Sequence, residues 1–122
     1  MAAVVRTVSG EYNDSMTTLE KLRQNGIAVD LERLHSVAHK YGITELSVFG
    51  SSIRRDVSGD SDVDLLVSFA DDAKISLFDL MDLEDELAEV FGRPVDVVEP
   101  ASLTNPIRRR SILSTKEQLY AA

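Results

Sequence analysis

Apolar positions recur along this chain with two periods, and the switch between them lays out the elements. Met16, Leu19 and Leu22 fall three apart, the spacing of one helix face. Asn13 or Asp14 stands where that helix's N-cap belongs, and Gly26 follows Asn25 as its stop. A second helix is predicted from its cap, Asp30, to its terminator, Gly42, with Leu31, Leu34, Val37, Ala38 and Tyr41 turned inward. Leu46, Val48 and Phe49 then form a strand-like run that ends at Gly50-Ser51, and Ser51 opens a short helix. Val63, Leu65, Leu66 and Val67 form a second strand, and Asp71-Asp72 turns the chain. Ser76 caps a helix running to Phe91, with Leu77, Leu80, Met81, Leu83, Leu87 and Val90 as its core stripe. Gly92 and Pro94 break it and start a third strand, Pro94 to Glu99, in which Val95, Val97 and Val98 flank the polar Asp96. Pro106 marks the first turn of a last helix, and a segment around Leu119-Tyr120 closes the chain. Residues 1–12 show no period and read as a loose terminus. The order helix–strand–helix–strand–helix–strand–helix predicts an α/β (α+β) architecture, with helices packed on a small mixed sheet.

The chemistry is concentrated between Leu46 and Val67. Residues i and i+2 of a strand project from one face, so Asp62 and Asp64 point the same way while Val63 turns into the core. Two carboxylates held that close repel unless a cation sits between them, and a hard divalent ion such as Mg²⁺ removes the penalty. Gly50 lets a ligand approach the backbone, and Ser51 begins a short helix whose free N–H groups suit an anion. Phosphate at the turn and metal on the carboxylates would place a nucleoside triphosphate between the two strands.

Composition narrows the choice of partner. The 122 residues suffice for one domain, and a net charge of −8 argues against a phosphate-backbone grip on nucleic acid. No apolar run approaches a membrane span, and MAAVVRTVSGEY lacks the apolar core of a signal peptide. The absence of cysteine excludes disulfides and thiolate metal sites and points to a cytoplasmic location. His35 and His39 lie four apart on the second helix, a metal-capable spacing with no third ligand beside it. The acidic run of Asp79, Asp82, Glu84, Asp85, Glu86 and Glu89 and the basic run of Arg108, Arg109 and Arg110 read as solvated faces.

Gly50-Ser51, ten intervening residues and Asp62-x-Asp64 resemble the signature of the DNA polymerase β-type nucleotidyltransferases. The surroundings resemble the smallest branch, the minimal nucleotidyltransferase (MNT) domains. There Gly-Ser is usually followed by x-x-Arg-Gly; this chain keeps Arg54 and has Arg55 in place of the glycine. Ser76-Leu77-Phe78-Asp79-Leu80 and Gly92-Arg93-Pro94-Val95-Asp96-Val97-Val98 also match, so the resemblance covers roughly Leu31 to Tyr120.

The resemblance implies the polymerase β-type fold over residues 29–122, with residues 1–28 a partly helical extension. It makes Asp96 the third carboxylate beside Asp62 and Asp64, together holding two Mg²⁺ ions, with Asp96 also placed to help remove the acceptor's proton. Gly50 and Ser51 would fix the β- and γ-phosphates of ATP, and Arg54 would neutralise charge on the pyrophosphate leaving group. The implied reaction is transfer of AMP to a hydroxyl, a tyrosine in the family, on a HEPN-domain toxin for which the protein is the antitoxin. Two alternatives stay open. One is an antitoxin that neutralises its partner by binding alone. The other is a small-molecule nucleotidyltransferase of the antibiotic type, against which stands the lack of a second helical domain before Ala122.

Overall fold

Reciprocal capping sets where the first helix begins. In the computed structural model, which describes residues 17–53 and 62–122, helix α1 runs Thr18–Gln24. The Glu20 amide donates to Thr17 Oγ1 at 3.1 Å, and the Thr17 amide donates to Glu20 Oε1 at 2.9 Å. This capping box satisfies both orphan donors, so the cap is Thr17 and not the expected Asn13 or Asp14, which lie outside the described residues. Helix α2, Leu31–Tyr41, starts and stops as expected: Asp30 accepts from the Arg33 amide, and Gly42 ends it in the left-handed region.

Strands β1 (Ile43–Phe49), β2 (Val63–Phe69) and β3 (Val95–Val98) follow the sequence pattern. A fourth, β4 (Glu117–Ala121), was not anticipated beyond a closing segment. It is a short edge strand with Glu117 and Gln118 at its start, and a polar edge strand has little alternation to betray it. The sheet order is β3-β2-β1-β4. β1 pairs antiparallel with both β2 and β4, and β2 pairs parallel with β3 through helix α3, Leu77–Phe91. Helix α4, Pro106–Thr115, is capped by Asn105 and precedes β4.

Strand alternation divides the core between the two faces of the sheet. Leu46, Val48, Val63, Leu65 and Val67 pack with Leu22, Ile27, Leu34, Val37, Leu83, Leu87, Val90 and Phe91 from α1, α2, α3 and their ends. Phe49 and Leu66 project the other way, onto Leu103 and Ile112. None of the described helices is long and apolar enough to cross a membrane.

Part of the expected core stripe is not buried. Leu77 and Met81 are 72% and 55% exposed, Phe78 beside them is 76% exposed, and Leu31 of α2 is 41% exposed. A helix of 15 residues is about 22 Å long, whereas the four-residue β3 beneath it spans about 13 Å. The first turns of α3 therefore run past the end of β3, and its buried residues, Leu83, Leu87, Val90 and Phe91, all lie from Leu83 onward.

Polar contacts tie α2 to α3. The Tyr41 hydroxyl donates to Glu86 Oε2 at 2.5 Å and the Lys40 ammonium donates to the same oxygen at 2.9 Å. The tyrosine bond, then the lysine, holds the Glu86 carboxyl below its ordinary value of 4.5. A depressed carboxylate stabilises the fold above its unfolded pKa, and that contribution disappears as pH falls through the folded value. Tyr41→Phe should therefore flatten the loss of stability with acid below about pH 4.5, read from urea midpoints across that range.

Burial predicts a second contrast. Leu83→Ala should lower unfolding free energy by about 2–5 kcal/mol. Leu77→Ala should change it by less than about 0.5 kcal/mol in the same urea titrations.

Candidate active site

Three chain segments converge where β1 ends and where β2 and β3 begin. β1 finishes at Phe49, and Gly50–Ile53 turns in a short 3₁₀ helix. Gly50 has φ +77°, a conformation that side chains disfavour. A Cβ built there would lie 2.4 Å from Asp64 Oδ2. Any other residue would thus have to displace the carboxylate, so the glycine and the aspartate are matched to each other.

β2 supplies the acidic side. Asp62 immediately precedes the strand and is exposed, Val63 is buried, and Asp64 is partly buried. Antiparallel register sets Asp64 against Phe49, and parallel register on its other side sets it against Asp96 of β3. Neighbouring strands lie about 4.8 Å apart, so Asp64 and Asp96 are adjacent along the sheet end. The register thus brings Gly50, Asp64 and Asp96 together, with Asp62 one strand step outward. The backbone of Ser51 lies in the turn itself. Arg54 lies outside the described residues.

Oxygen donors with no thiol, and with both histidines on another element, have the chemistry of a hard divalent ion's site. The pairing of Asp64 with Asp96 fits such an ion. Among the described residues no three Asp, Glu or His side chains converge into a complete ligand group, so the fit is of donor type and strand register.

Two contributors escaped sequence reasoning. Glu84, expected on a solvated face, accepts the Val97 amide at 3.1 Å and so satisfies an outward N–H of the edge strand β3, one residue from Asp96. Asn25 donates its side-chain amide to the Ser52 carbonyl, in the glycine turn, at 2.7 Å. Neither has a sequence signal, because each bond joins residues distant in the chain. The histidine pair forms no metal centre with a third such side chain among the described residues. Instead the His35 ring packs edge-on against Tyr120, centroids 5.3 Å apart.

A second concavity, of about 550 Å³, lies at the opposite end of the sheet. His39, Tyr41, Asp72, Lys74, Asp79 and Asp82 line it, between the end of α2 and the start of α3. Acids and bases alternate around this open cleft, and it contains no glycine turn against a strand carboxylate. The chemistry therefore favours the Gly50 end.

Residues 32–118 match the model of the nucleotidyltransferase domain family. The protein adenylyltransferase MntA of Thermococcus cleftensis is 38% identical over 87 residues, which cover 65% of this chain and 86% of that protein. A solved structure assigned as a minimal nucleotidyltransferase superposes with a TM-score of 0.60 at 30% identity, over 88% of this chain and 100% of the other. A complex described as a tri-AMPylated HEPN toxin of Shewanella oneidensis with an MNT antitoxin matches at TM-score 0.53 and 17% identity. That match covers 84% of this chain and 73% of the other, and it speaks to the fold alone.

Gly50→Ala should cost about 1–3 kcal/mol of stability from the positive φ, and should abolish nucleotide transfer by displacing Asp64. Thermal unfolding and a transfer assay on the same preparation check both halves.

Proposed function

This chain belongs to the nucleotidyltransferase domain family, within its group of small protein adenylyltransferases, and from that premise we propose how its residues carry out the transfer and on what. The substrate is ATP, and the acceptor is a hydroxyl, of a tyrosine, on a HEPN-type toxin that the protein silences as its antitoxin. The acceptor oxygen bonds to the α-phosphorus, the bond from that phosphorus to the β-phosphate oxygen breaks, and pyrophosphate leaves. The acceptor's proton passes to a carboxylate or to water.

The single observation that carries this reading is the fit of Gly50 to Asp64, with Asp96 in register beside it. Gly50 and Ser51 hold the β- and γ-phosphates through backbone N–H groups, and the missing Cβ at Gly50 leaves room for the Asp64 carboxylate beside them. Asp62, Asp64 and Asp96 would hold Mg²⁺, which would supply charge neutralisation for the triphosphate. Asp96 lies on the edge strand and is exposed, and it would also accept the acceptor's proton. Arg54 follows the turn and serves the leaving pyrophosphate. A protein acceptor suits a net charge of −8 better than a nucleic acid does. The pair would act in the cytoplasm, where ATP is supplied.

The test is intact-mass spectrometry of the purified chain incubated with Mg²⁺, mixed nucleoside triphosphates and a HEPN-type toxin offered as the acceptor. One or more added AMP masses on the partner, absent with Asp64→Ala and with chelator, are the expected result. Losing one such carboxylate should slow transfer at least a hundredfold, several kcal/mol of barrier. A stable complex with no added mass would instead establish neutralisation by contact alone.

A further inference from the structure

The glycine turn is held from a direction that the sheet does not supply. Ser52 is buried, its hydroxyl has no hydrogen-bond partner among the described residues, and its carbonyl accepts from the Asn25 side chain at 2.7 Å. Asn25 lies at the end of α1, and its own amide N–H bonds the Leu22 carbonyl at 3.0 Å.

α1 is itself fixed at both ends. Thr18 and Lys21 bond the Glu117 carboxylate of β4 at 2.8 and 2.5 Å. The Arg93 guanidinium, ahead of β3, donates to the carbonyls of Asn25 and Gly26, each at 3.4 Å. Leu22 and Ile27, on either side of Asn25, are buried in the main core. The helix that ends at Asn25 is thus tied to β4, to the β3 end and to the turn. It also lies before residue 32, where the family match begins.

We propose that Asn25 is a positioning residue for nucleotide binding: its amide holds the Ser52–Ile53 peptide so that the Gly50–Ser51 backbone keeps its place against Asp64. The segment ahead of α2 then acts as a brace for the phosphate-binding turn. This inference rests on the reading of Gly50–Ser51 as the triphosphate site. Asp in place of Asn keeps the shape but removes the N–H donor and sets an anion against the Ser52 carbonyl.

The experiment measures the Kd of a non-hydrolysable ATP analogue by calorimetry, and KM and kcat for transfer, for Asn25→Asp, Asn25→Ala, Asn25→Gln and Thr17→Ala. Both Asn25→Asp and Asn25→Ala should raise Kd and KM for the nucleotide about threefold to tenfold, the scale of one lost hydrogen bond, with kcat nearly unchanged. Asn25→Gln, which retains the donor, should recover part of the affinity. Thr17→Ala breaks the capping box without touching the turn, and should lower Tm while leaving Kd as in the wild type.

Wild-type Kd in Asn25→Asp and Asn25→Ala, or an equal rise in Thr17→Ala, would overturn the brace. Gly50→Ala and Ser51→Ala separate the two levels of the claim. Unchanged affinity in both would remove the triphosphate site itself. Weakened affinity there with none in the Asn25 variants would remove only the brace.

Discussion

The site depends on one steric fact: where Gly50 meets Asp64 there is no room for a side chain. A Cβ there would sit 2.4 Å from a carboxylate oxygen, and φ is +77°. β1 must therefore end at this residue, and β2 must enter with Asp64 opposite Phe49. A one-residue slip of β2 would turn Val63, Leu65 and Val67 out of the core and the carboxylates into it. Core burial and site geometry are thus fixed by the same register.

Around that pairing the fold separates two kinds of task. The sheet positions carboxylates along one end, Asp96 beside Asp64 and Asp62 one step outward. The helices hold those strands from outside: Glu84 of α3 satisfies the edge of β3, and Asn25 at the end of α1 holds the Ser52 carbonyl. Neither contact is part of the strand ladder. Both act on backbone groups close to Gly50, Asp64 and Asp96, which is where a small shift would most affect phosphate held as proposed.

Much of this was legible in the sequence. Periodicity placed α2 and α3 between caps and stops of the expected type, Asp30 and Gly42, Ser76 and Gly92, while apolar runs marked three strands and Pro106 the first turn of α4. Strand geometry, which turns i and i+2 to one side, related Asp62 to Asp64, whereas the place of Asp96 beside them was implied by the family resemblance. What escaped depends on contacts across the chain. Leu77 and Met81 have core periodicity but overhang a four-residue strand, a mismatch of lengths that a local pattern does not contain. β4 is made by pairing with β1, and its own residues alternate too weakly to announce it. The cap at Thr17 is legible as Thr-x-x-Glu, but Asn13 and Asp14 just upstream are the stronger cap residue types.

The most direct measurement is a crystal structure of the chain with Mg²⁺ and a non-hydrolysable ATP analogue. The predicted result is triphosphate density against the Gly50–Ser51 backbone, with metal density at the carboxylates of Asp62, Asp64 and Asp96. Triphosphate density in the cleft of His39, Tyr41 and Asp79, at the other end of the sheet, would contradict it.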